Sequence, residues 1–250
     1  MYNSLIKCRK YGEISMAKVI ILSGAGISAE SGISTFRDSN GLWEKYKIKD
    51  ICTVGCLHKN RKATIEFYDY RRSELKDKEP NYAHKVISQL KSKYPNEIAV
   101  ITQNVDDMFE KANCIDVLHL HGFLKELKCK KCNTILDIGY EKQSGNYESC
   151  SKCNKLLRPN IVFFGEQAPK YKDMYKEFKS CEVLVVIGTS GAVINTDMFL
   201  NSQIKFSILN NLEESLYIND SLYSKVLYKK ATLAIDEIAD DIENYLLGKF

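Results

Sequence analysis

Two pairs of closely spaced cysteines are the strongest chemical signal in this chain of 250 residues. Cys129 and Cys132 form one C-x-x-C pair, and Cys150 and Cys153 form the other. The separation of the two pairs is typical of a tetrahedral zinc site with four thiolate ligands; redox-active pairs are the alternative. Because four thiolates leave no coordination position open, we expect one structural zinc ion here.

A glycine-rich turn follows a short apolar run near the N-terminus. The run Val19–Leu22 is rich in β-branched residues, which predicts a strand buried on both faces of a parallel sheet. The following GAGISA fits the dinucleotide pattern G-x-G-x-x-G/A through Gly24, Gly26 and Ala29. The second glycine of this pattern lets a pyrophosphate approach the main chain, and the helix start directs N–H groups at it. A turn with a purely structural role is the alternative.

The residues after this turn argue against an ordinary nicotinamide dehydrogenase. Such an enzyme has an acidic residue about twenty positions after the first glycine, at the end of the second strand. Glu44 stands near that position, but the surrounding GLWEKYKIKD does not resemble a strand end. Phe36 and Arg37 instead place an aromatic ring and a permanent charge shortly after the turn.

Polar side chains follow two further predicted strands, where open α/β sheets bind ligands. The residues after the first of these strands are Gln103, Asn104 and Asp106. His119 and His121 end the next one, and either histidine could serve as a general base. Because side chains two positions apart in a strand share a face, the sequence alone does not choose between them.

Strands alternate with helices along most of the chain, which predicts an α/β fold with a Rossmann-like, doubly wound parallel sheet. The predicted strands cover 19–22, 97–102, 116–120, 160–164, 183–187 and 205–209, and the predicted helices cover 63–75, 81–93 and 234–247. A smaller inserted domain is predicted, made of a helical module and a zinc-ribbon module. The expected limits are a leader at 1–17, the dinucleotide-binding domain at 18–40, 94–124 and 159–250, the helical module at 41–93 and the zinc module at 125–158.

Composition narrows the class of protein. The net charge is +4 with the two signs interspersed, whereas a nucleic-acid binder concentrates its basic residues in a stripe. No apolar run is long enough to span a bilayer or to form a signal core, so we expect a cytoplasmic protein without membrane contact. Nine cysteines, an odd number, fit a reducing compartment. We expect a monomer that acts on peptides or small molecules.

The motifs occur in an order that resembles one protein family. The set consists of GAGIS, GISTFR, TQNVD, HLHG, the two C-x-x-C pairs, FFGE and GTS. From about Val19 to Asp236 the chain closely resembles a sirtuin, an NAD-dependent protein-lysine deacylase. This resemblance implies that NAD lies in the cleft between the Rossmann-like domain and the smaller domain. It also implies that the acylated lysine of a protein substrate enters from the opposite mouth.

The resemblance implies a role for individual residues, with His121 as the general base and Asn104 beside it in the catalytic site. The implied cofactor-binding residues are Gly24, Ala25, Gly26, Phe36, Arg37, Gln103, Asn104, Asp106, Gly188, Thr189, Ser190, Asn211 and Ala231. The implied substrate-binding residues are Tyr68, Arg71, Val162, Phe164, Gly165, Glu166 and Val193.

Tyr68 and Arg71 are the residues that we expect to recognise the acyl group. They stand three positions apart on a predicted helix and therefore share a face. Arginine can bind a carboxylate bidentately and a tyrosine hydroxyl can add a third hydrogen bond, although a solvated helix face is the alternative. The Y-x-x-R pattern resembles the class III bacterial sirtuins, which accept succinyl and malonyl groups, and this implies removal of succinyl and malonyl groups as well as acetyl.

The chain departs from the family pattern at three positions. Ser34 replaces a usual proline, Phe163 stands where tryptophan is common, and Asn195 replaces a proline after the GTS loop. These changes concern rate and peptide preference more than reaction type. Two other functions remain open: a protein ADP-ribosyltransferase on the same fold, and a non-enzymatic NAD- or nucleic-acid-binding module with a basic zinc face. The lysines of that face are Lys125, Lys128, Lys130, Lys131, Lys152 and Lys155.

Overall fold

A computed structural model describes residues 17–34 and 48–249 of the chain, and these residues form two β-sheets with surrounding helices. The larger sheet is parallel, with the strand order β3-β2-β1-β7-β8-β9. Its strands are β1 (Val19–Ser23), β2 (Ile98–Thr102), β3 (Leu118–His119), β7 (Val183–Ile187), β8 (Phe206–Asn211) and β9 (Lys225–Tyr228). The smaller sheet is antiparallel, in the order β5-β4-β6, with β4 (Gly122–Cys129), β5 (Ile135–Asp137) and β6 (Leu157–Ile161).

Eight α-helices connect these strands within the described residues. They are α1 (Gly26–Ala29), α2 (Ile48–Ile51), α3 (Cys56–Lys59), α4 (Arg61–Leu75), α5 (Tyr82–Lys93), α6 (Met108–Lys111), α7 (Tyr171–Glu177) and α8 (Ala231–Leu246). Single 3-10 turns lie at Phe178–Ser180, Thr196–Phe199 and Asp220–Leu222. In the ranges described, no helix is both long enough and apolar enough to cross a membrane.

The larger sheet is buried on both faces. All five residues of β1 are buried, as the unbroken apolar run predicts, and so are all five residues of β7. On one face, alternate residues of β1, β2 and β7 pack against α5 and α8 in one core cluster. On the other face they pack against a second cluster that includes Met174 of α7 and Phe199. The predicted fold class, a Rossmann-like doubly wound sheet with a smaller attached part, is confirmed.

The loops that follow β1 and β7 pack tightly against each other because both contain glycine. A β-carbon on Gly24 would lie 2.7 Å from the carbonyl oxygen of Gly188. A β-carbon on Gly26 would lie 2.7 Å from the Cα of Gly188. Gly188 itself has a φ of +63°, which side chains rarely adopt. The two central strands therefore end in loops that meet at one point of the sheet edge, where doubly wound sheets bind ligands.

The structure differs from the predicted elements in two places. The predicted strand 160–164 is wrong in position and partner, because β6 ends at Ile161 and pairs with β4 in the smaller sheet. The edge strand β9 was not predicted; its residues are half-buried or exposed, so they form no apolar run. Glu44 and the leader through residue 16 lie outside the described residues, and the domain limits stay a prediction.

Candidate functional site

A large cavity lies at the carboxyl edge of the parallel sheet and continues toward the smaller sheet. Its volume is about 1570 Å³. Loops after β1, β2, β7 and β8 line one part, and residues of α4 and of the segment after β6 line another. A single small-molecule site usually occupies about 300–1,000 Å³, so this cavity has room for two ligands side by side.

The structure brings all described residues predicted to bind NAD or acyl-lysine to this one cavity. On the side of the large sheet they are Gly24, Ala25, Gly26, Gln103, Asn104, Asp106, His121, Gly188, Thr189, Ser190, Asn211 and Ala231. On the other side they are Tyr68, Arg71, Val162, Phe164, Gly165, Glu166 and Val193. Phe36 and Arg37 lie outside the described residues.

Side-chain amides tie the strand ends together around Thr189. Gln103, directly after β2, donates from Nε2 to the Thr189 hydroxyl at 3.0 Å. Asn211, at the end of β8, donates from Nδ2 to the Thr189 carbonyl oxygen, also at 3.0 Å. The cavity wall is therefore cross-linked through the ends of β2, β7 and β8 and presents hydroxyl and amide groups to a ligand.

The start of α1 differs from the expectation of free N–H groups. The N–H of Gly26 donates to the Gly188 carbonyl at 2.8 Å, and the next two N–H groups bond to the carbonyls of Gly24 and Ala25. The helix is also only four residues long. The three donors are used inside the protein, so the turn contributes close backbone packing more than a row of anion-binding N–H groups.

Asn104 and Asp106 form the polar floor of the cavity beside α1. Asn104 donates from Nδ2 to the Ser28 hydroxyl at 3.0 Å. Asp106 is buried and accepts a hydrogen bond from the N–H of Met108 at 3.1 Å. Burial raises the pKa of the Asp106 carboxyl, and the hydrogen bonds from Met108 and Ser28 only partly oppose this effect.

The two histidines of the HLHG motif have different hydrogen-bond partners. His121 lies 3.0 Å from the Gln103 carbonyl through Nδ1 and 3.0 Å from the Tyr171 hydroxyl through Nε2. Because a carbonyl only accepts, Nδ1 carries the hydrogen and the lone pair is on Nε2. His119 contacts acceptors at both nitrogens, the Asn104 carbonyl and the Glu110 carboxylate, so it offers no lone pair. This geometry favours His121 as the base.

The sequence analysis placed both histidines on one face of a predicted strand, but β3 ends at His119. His121 lies in the turn that follows, where alternation along a strand no longer applies. Burial lowers the pKa of His121, partly offset by the Gln103 carbonyl. The imidazole therefore stays neutral at physiological pH, as a general base requires.

The four paired cysteines converge at one point between β4 and β6. Their sulfur atoms all lie within 4.8 Å of one another, and three of the pairs are 3.4–3.6 Å apart. Zinc–sulfur bonds of about 2.3 Å give a tetrahedron with edges of about 3.8 Å. The arrangement of Cys129, Cys132, Cys150 and Cys153 therefore fits one zinc ion with four thiolate ligands.

Comparison with known proteins places these features in one family. The family model described as the Sir2 family matches residues 24–195, which is more than half of the chain. The chain belongs to the Sir2 family. The predicted sirtuin resemblance is confirmed, whereas membership of the class III subgroup stays a prediction.

Sir2 relatives span nearly the whole chain. A Campylobacter jejuni protein named NAD-dependent protein deacylase is 47% identical over 232 residues, which cover 92% of this chain and 98% of the relative. A protein of the same name from Helicobacter hepaticus is 38% identical over 257 residues, which cover 93% of this chain and 100% of the relative.

Solved Sir2 structures share the fold. A Sir2 homologue in complex with NAD has a TM-score of 0.80 and 30% identity, and the match covers 93% of this chain and 92% of that one. A Sir2 protein with a deacetylated p53 peptide and 3′-O-acetyl ADP ribose has a TM-score of 0.73 and 26% identity, with coverage of 89% and 92%. NAD fits the cavity of this sirtuin, since amides and hydroxyls line its strand-end wall.

In this sirtuin the predicted acyl-reading residues lie on α4 and face the cavity together. Tyr68 is buried and stacks on Phe163, with ring centroids 5.6 Å apart and an angle of 15° between the rings. Its hydroxyl donates to the Cys52 thiol at 3.5 Å. Arg71 lies 3.8 Å from the Glu74 carboxylate, at the outer limit of an ion pair, so its guanidinium keeps donors for a ligand.

The side chain of Glu166, a predicted substrate-binding residue, is bonded within the protein. Its carboxylate accepts a bidentate hydrogen bond from Arg158, at 2.6 and 3.0 Å, and another from the N–H of Phe163 at 3.1 Å. Although burial opposes ionisation, these bonds and the nearby charges lower the pKa of Glu166 to about 2. The side chain therefore holds the segment after β6 in place, next to the cavity.

Sequence reasoning missed several residues that line the cavity of this sirtuin. Ser28 accepts from Asn104, Tyr171 bonds to His121, and Cys52 bonds to Tyr68. Ser28 lies inside the GAGIS motif, so the motif could have indicated it. Tyr171 and Cys52 carry no local signal, because only the fold brings them beside their partners.

Proposed function

We propose that the chain is an NAD-dependent protein-lysine deacylase that releases nicotinamide and O-acyl-ADP-ribose. One observation carries the proposal: all described residues predicted for NAD and for acyl-lysine line a single cavity that also contains His121. The relatives named NAD-dependent protein deacylase, at up to 47% identity over nearly the full chain, support the same reaction. Nicotinamide release from NAD in the presence of an acyl-lysine peptide tests it.

NAD, when bound, would supply an electrophilic ribose carbon for the acyl oxygen, with nicotinamide as the leaving group. Gln103 and Thr189 are proposed to hold the ribose and phosphate portion, and Asn211 the adenosine end. Asn104 and Asp106 are proposed to order the nicotinamide end. These side chains are fixed to one another before ligand arrives, which lowers the cost of orienting the reacting groups.

His121 is proposed to accept a proton at Nε2 from a ribose hydroxyl. The hydrogen on Nδ1 stays bonded to the Gln103 carbonyl, which holds the ring in the tautomer that leaves Nε2 available as an acceptor. In the structure this Nε2 accepts a hydrogen bond from the Tyr171 hydroxyl. The chain thus contains a neutral base in a fixed orientation at the cavity.

Zinc, held by the four cysteines, is proposed to have a structural role. All four ligand positions of a tetrahedral ion are filled by sulfur, so no position remains for a substrate or water. Two of the cysteines, Cys129 and Cys150, belong to the small core beneath the antiparallel sheet. The ion therefore connects the strands that carry one side of the cavity.

We infer that Tyr68 and Arg71 select acyl groups that end in a carboxylate, such as succinyl and malonyl. Both side chains line the cavity on the side away from the parallel sheet. Among the described residues the positive charge of Arg71 has one ion-pair partner, Glu74 at 3.8 Å, and the Tyr68 ring is fixed by its stack on Phe163. Cytoplasmic location and the monomeric state stay predictions.

Replacing Arg71 with methionine should lower the activity on succinyl-lysine much more than the activity on acetyl-lysine. A charge-assisted hydrogen bond contributes about 1.5–3 kcal/mol, which corresponds to about 10- to 150-fold in kcat/KM for succinyl-lysine. Turnover of acetyl-lysine, which has no carboxylate to bind, should change little. Steady-state kinetics on matched peptides measures both values.

Glu74→Gln is the matched control for this variant, because it removes the one ion pair that Arg71 makes within α4. It should leave the preference for succinyl-lysine intact. If Arg71→Met and Glu74→Gln impair both peptides equally, Arg71 supports the helix and does not read the acyl group.

A further inference from the structure

His119 lies behind the polar floor of the cavity. Its Nδ1 is 2.9 Å from the Asn104 carbonyl oxygen, and its Nε2 is 2.8 Å from the Glu110 carboxylate on α6. We propose that His119 is a positioning residue that, as an imidazolium, joins these two groups and thereby fixes Asn104 at the cavity. The inference rests on the proposed function only in assigning NAD to the part of the cavity that Asn104 lines.

The two contacts determine the protonation of His119. Carbonyl and carboxylate oxygens only accept hydrogen bonds, so both ring nitrogens must carry a hydrogen and the ring is charged. Burial disfavours that charge, but the Glu110 carboxylate, the Asn104 carbonyl and the charge of Asp106 together outweigh it and raise the pKa of His119. On its remaining side the ring contacts Phe123 of β4, which carries no charge.

Asn104 is held at three points, and His119 supplies the one on its carbonyl. Its N–H donates to the Thr102 hydroxyl and its side-chain amide to the Ser28 hydroxyl, each at 3.0 Å. These two bonds restrain the N–H and the side chain. His119 is the donor that restrains the carbonyl, so without it the peptide between Asn104 and Val105 loses its polar anchor.

Two substitutions of His119 each keep one of its two hydrogen bonds and remove the other. In His119→Asn the amide nitrogen takes roughly the place of Nδ1 and can donate to the Asn104 carbonyl. In His119→Gln it takes roughly the place of Nε2 and can donate to Glu110 instead. Both variants remove the positive charge, so they differ in which bond remains.

Calorimetric titration with NAD tests the positioning role. His119→Gln, which loses the bond to the Asn104 carbonyl, should weaken NAD binding by about 2- to 10-fold more than His119→Asn, which keeps it; this ratio is the value of one ordinary hydrogen bond. Equal losses in the two variants would contradict the proposal, because the bond to the Asn104 carbonyl would then make no difference to NAD binding. Absence of NAD binding by the wild type would instead contradict the proposed function.

Nuclear magnetic resonance of the imidazole nitrogens tests the protonation without any ligand. The chain has four histidines, and the expected directions distinguish His119 from His84 and His121. Burial lowers the pKa of His84 to about 4 and also lowers that of His121, whereas that of His119 is raised. Glu110→Gln should lower the pKa of His119. A His119 ring with one unprotonated nitrogen at pH 7, or no response to Glu110→Gln, would overturn the proposal.

Discussion

Replacing His121 with alanine should lower the rate of deacylation by about 100- to 10,000-fold, the usual contribution of a general base. NAD binding should be retained, because His121 is proposed to act after NAD and the acyl-lysine are in place. The effect should fall on kcat, since the ring contributes a proton acceptor and not a main binding contact. Rates with an acyl-lysine peptide and calorimetric NAD affinities measure the two quantities separately.

His121→Asn is the matched control, because its amide nitrogen can replace Nδ1 in the bond to Gln103 while no acceptor remains at the place of Nε2. It should be as inactive as the alanine variant. In the wild type, kcat/KM should fall as the pH drops through a pKa below 6.5, since burial keeps His121 neutral to lower pH. A His121 variant with near-normal turnover would show that another group, such as His119, is the base.

Replacing Cys150 with serine should destabilise the whole protein and release its zinc. Structural zinc sites in small modules have apparent binding free energies of about 10–16 kcal/mol, comparable with the total stability of about 5–15 kcal/mol of a typical protein. The core cluster that contains Cys150 has five buried residues, two of which are zinc ligands, and cannot replace that contribution. Thermal unfolding and elemental analysis should show a lower Tm and less than the one zinc per chain expected of the wild type.

Cys114→Ser is the control for this prediction. Cys114 is equally buried but belongs to the core of the parallel sheet, away from the four zinc ligands. It should keep its zinc, so any loss of stability in this variant reflects packing alone. A wild-type protein without zinc, or a Cys150→Ser protein as stable as Cys114→Ser, would contradict the metal site.

The sequence predicts the centre of the fold better than its edges, for a physical reason. The strands at Val19–Leu22 and 183–187 are buried on both faces, so each appears in the sequence as an unbroken apolar run. The edge strand β9 is only partly buried and leaves no such run. The apolar stretch 160–164 was misread because Phe163 packs in the core near α4, whereas Val162 and Phe164 donate their N–H groups to His121 and Cys52.

The ordered motifs predicted residues that line one cavity, but not the contacts among them. Residues from distant parts of the chain meet because β1 lies between β2 and β7, and no local pattern contains that register. The choice between His119 and His121 depends on which oxygen atoms face each ring. The engagement of Glu166 depends on Arg158, eight residues earlier, whose role only the paired strands reveal.

The measurement that tests the central claim most directly is the ratio of nicotinamide released to lysine deacylated. The purified protein is incubated with NAD and an acyl-lysine peptide, and the products are identified by mass spectrometry. We predict one nicotinamide for each acyl group removed, with the acyl group recovered on ADP-ribose, and no products without the peptide or in His121→Ala. Nicotinamide release with ADP-ribose attached to a protein, while the peptide keeps its acyl group, would contradict a deacylase and indicate an ADP-ribosyltransferase.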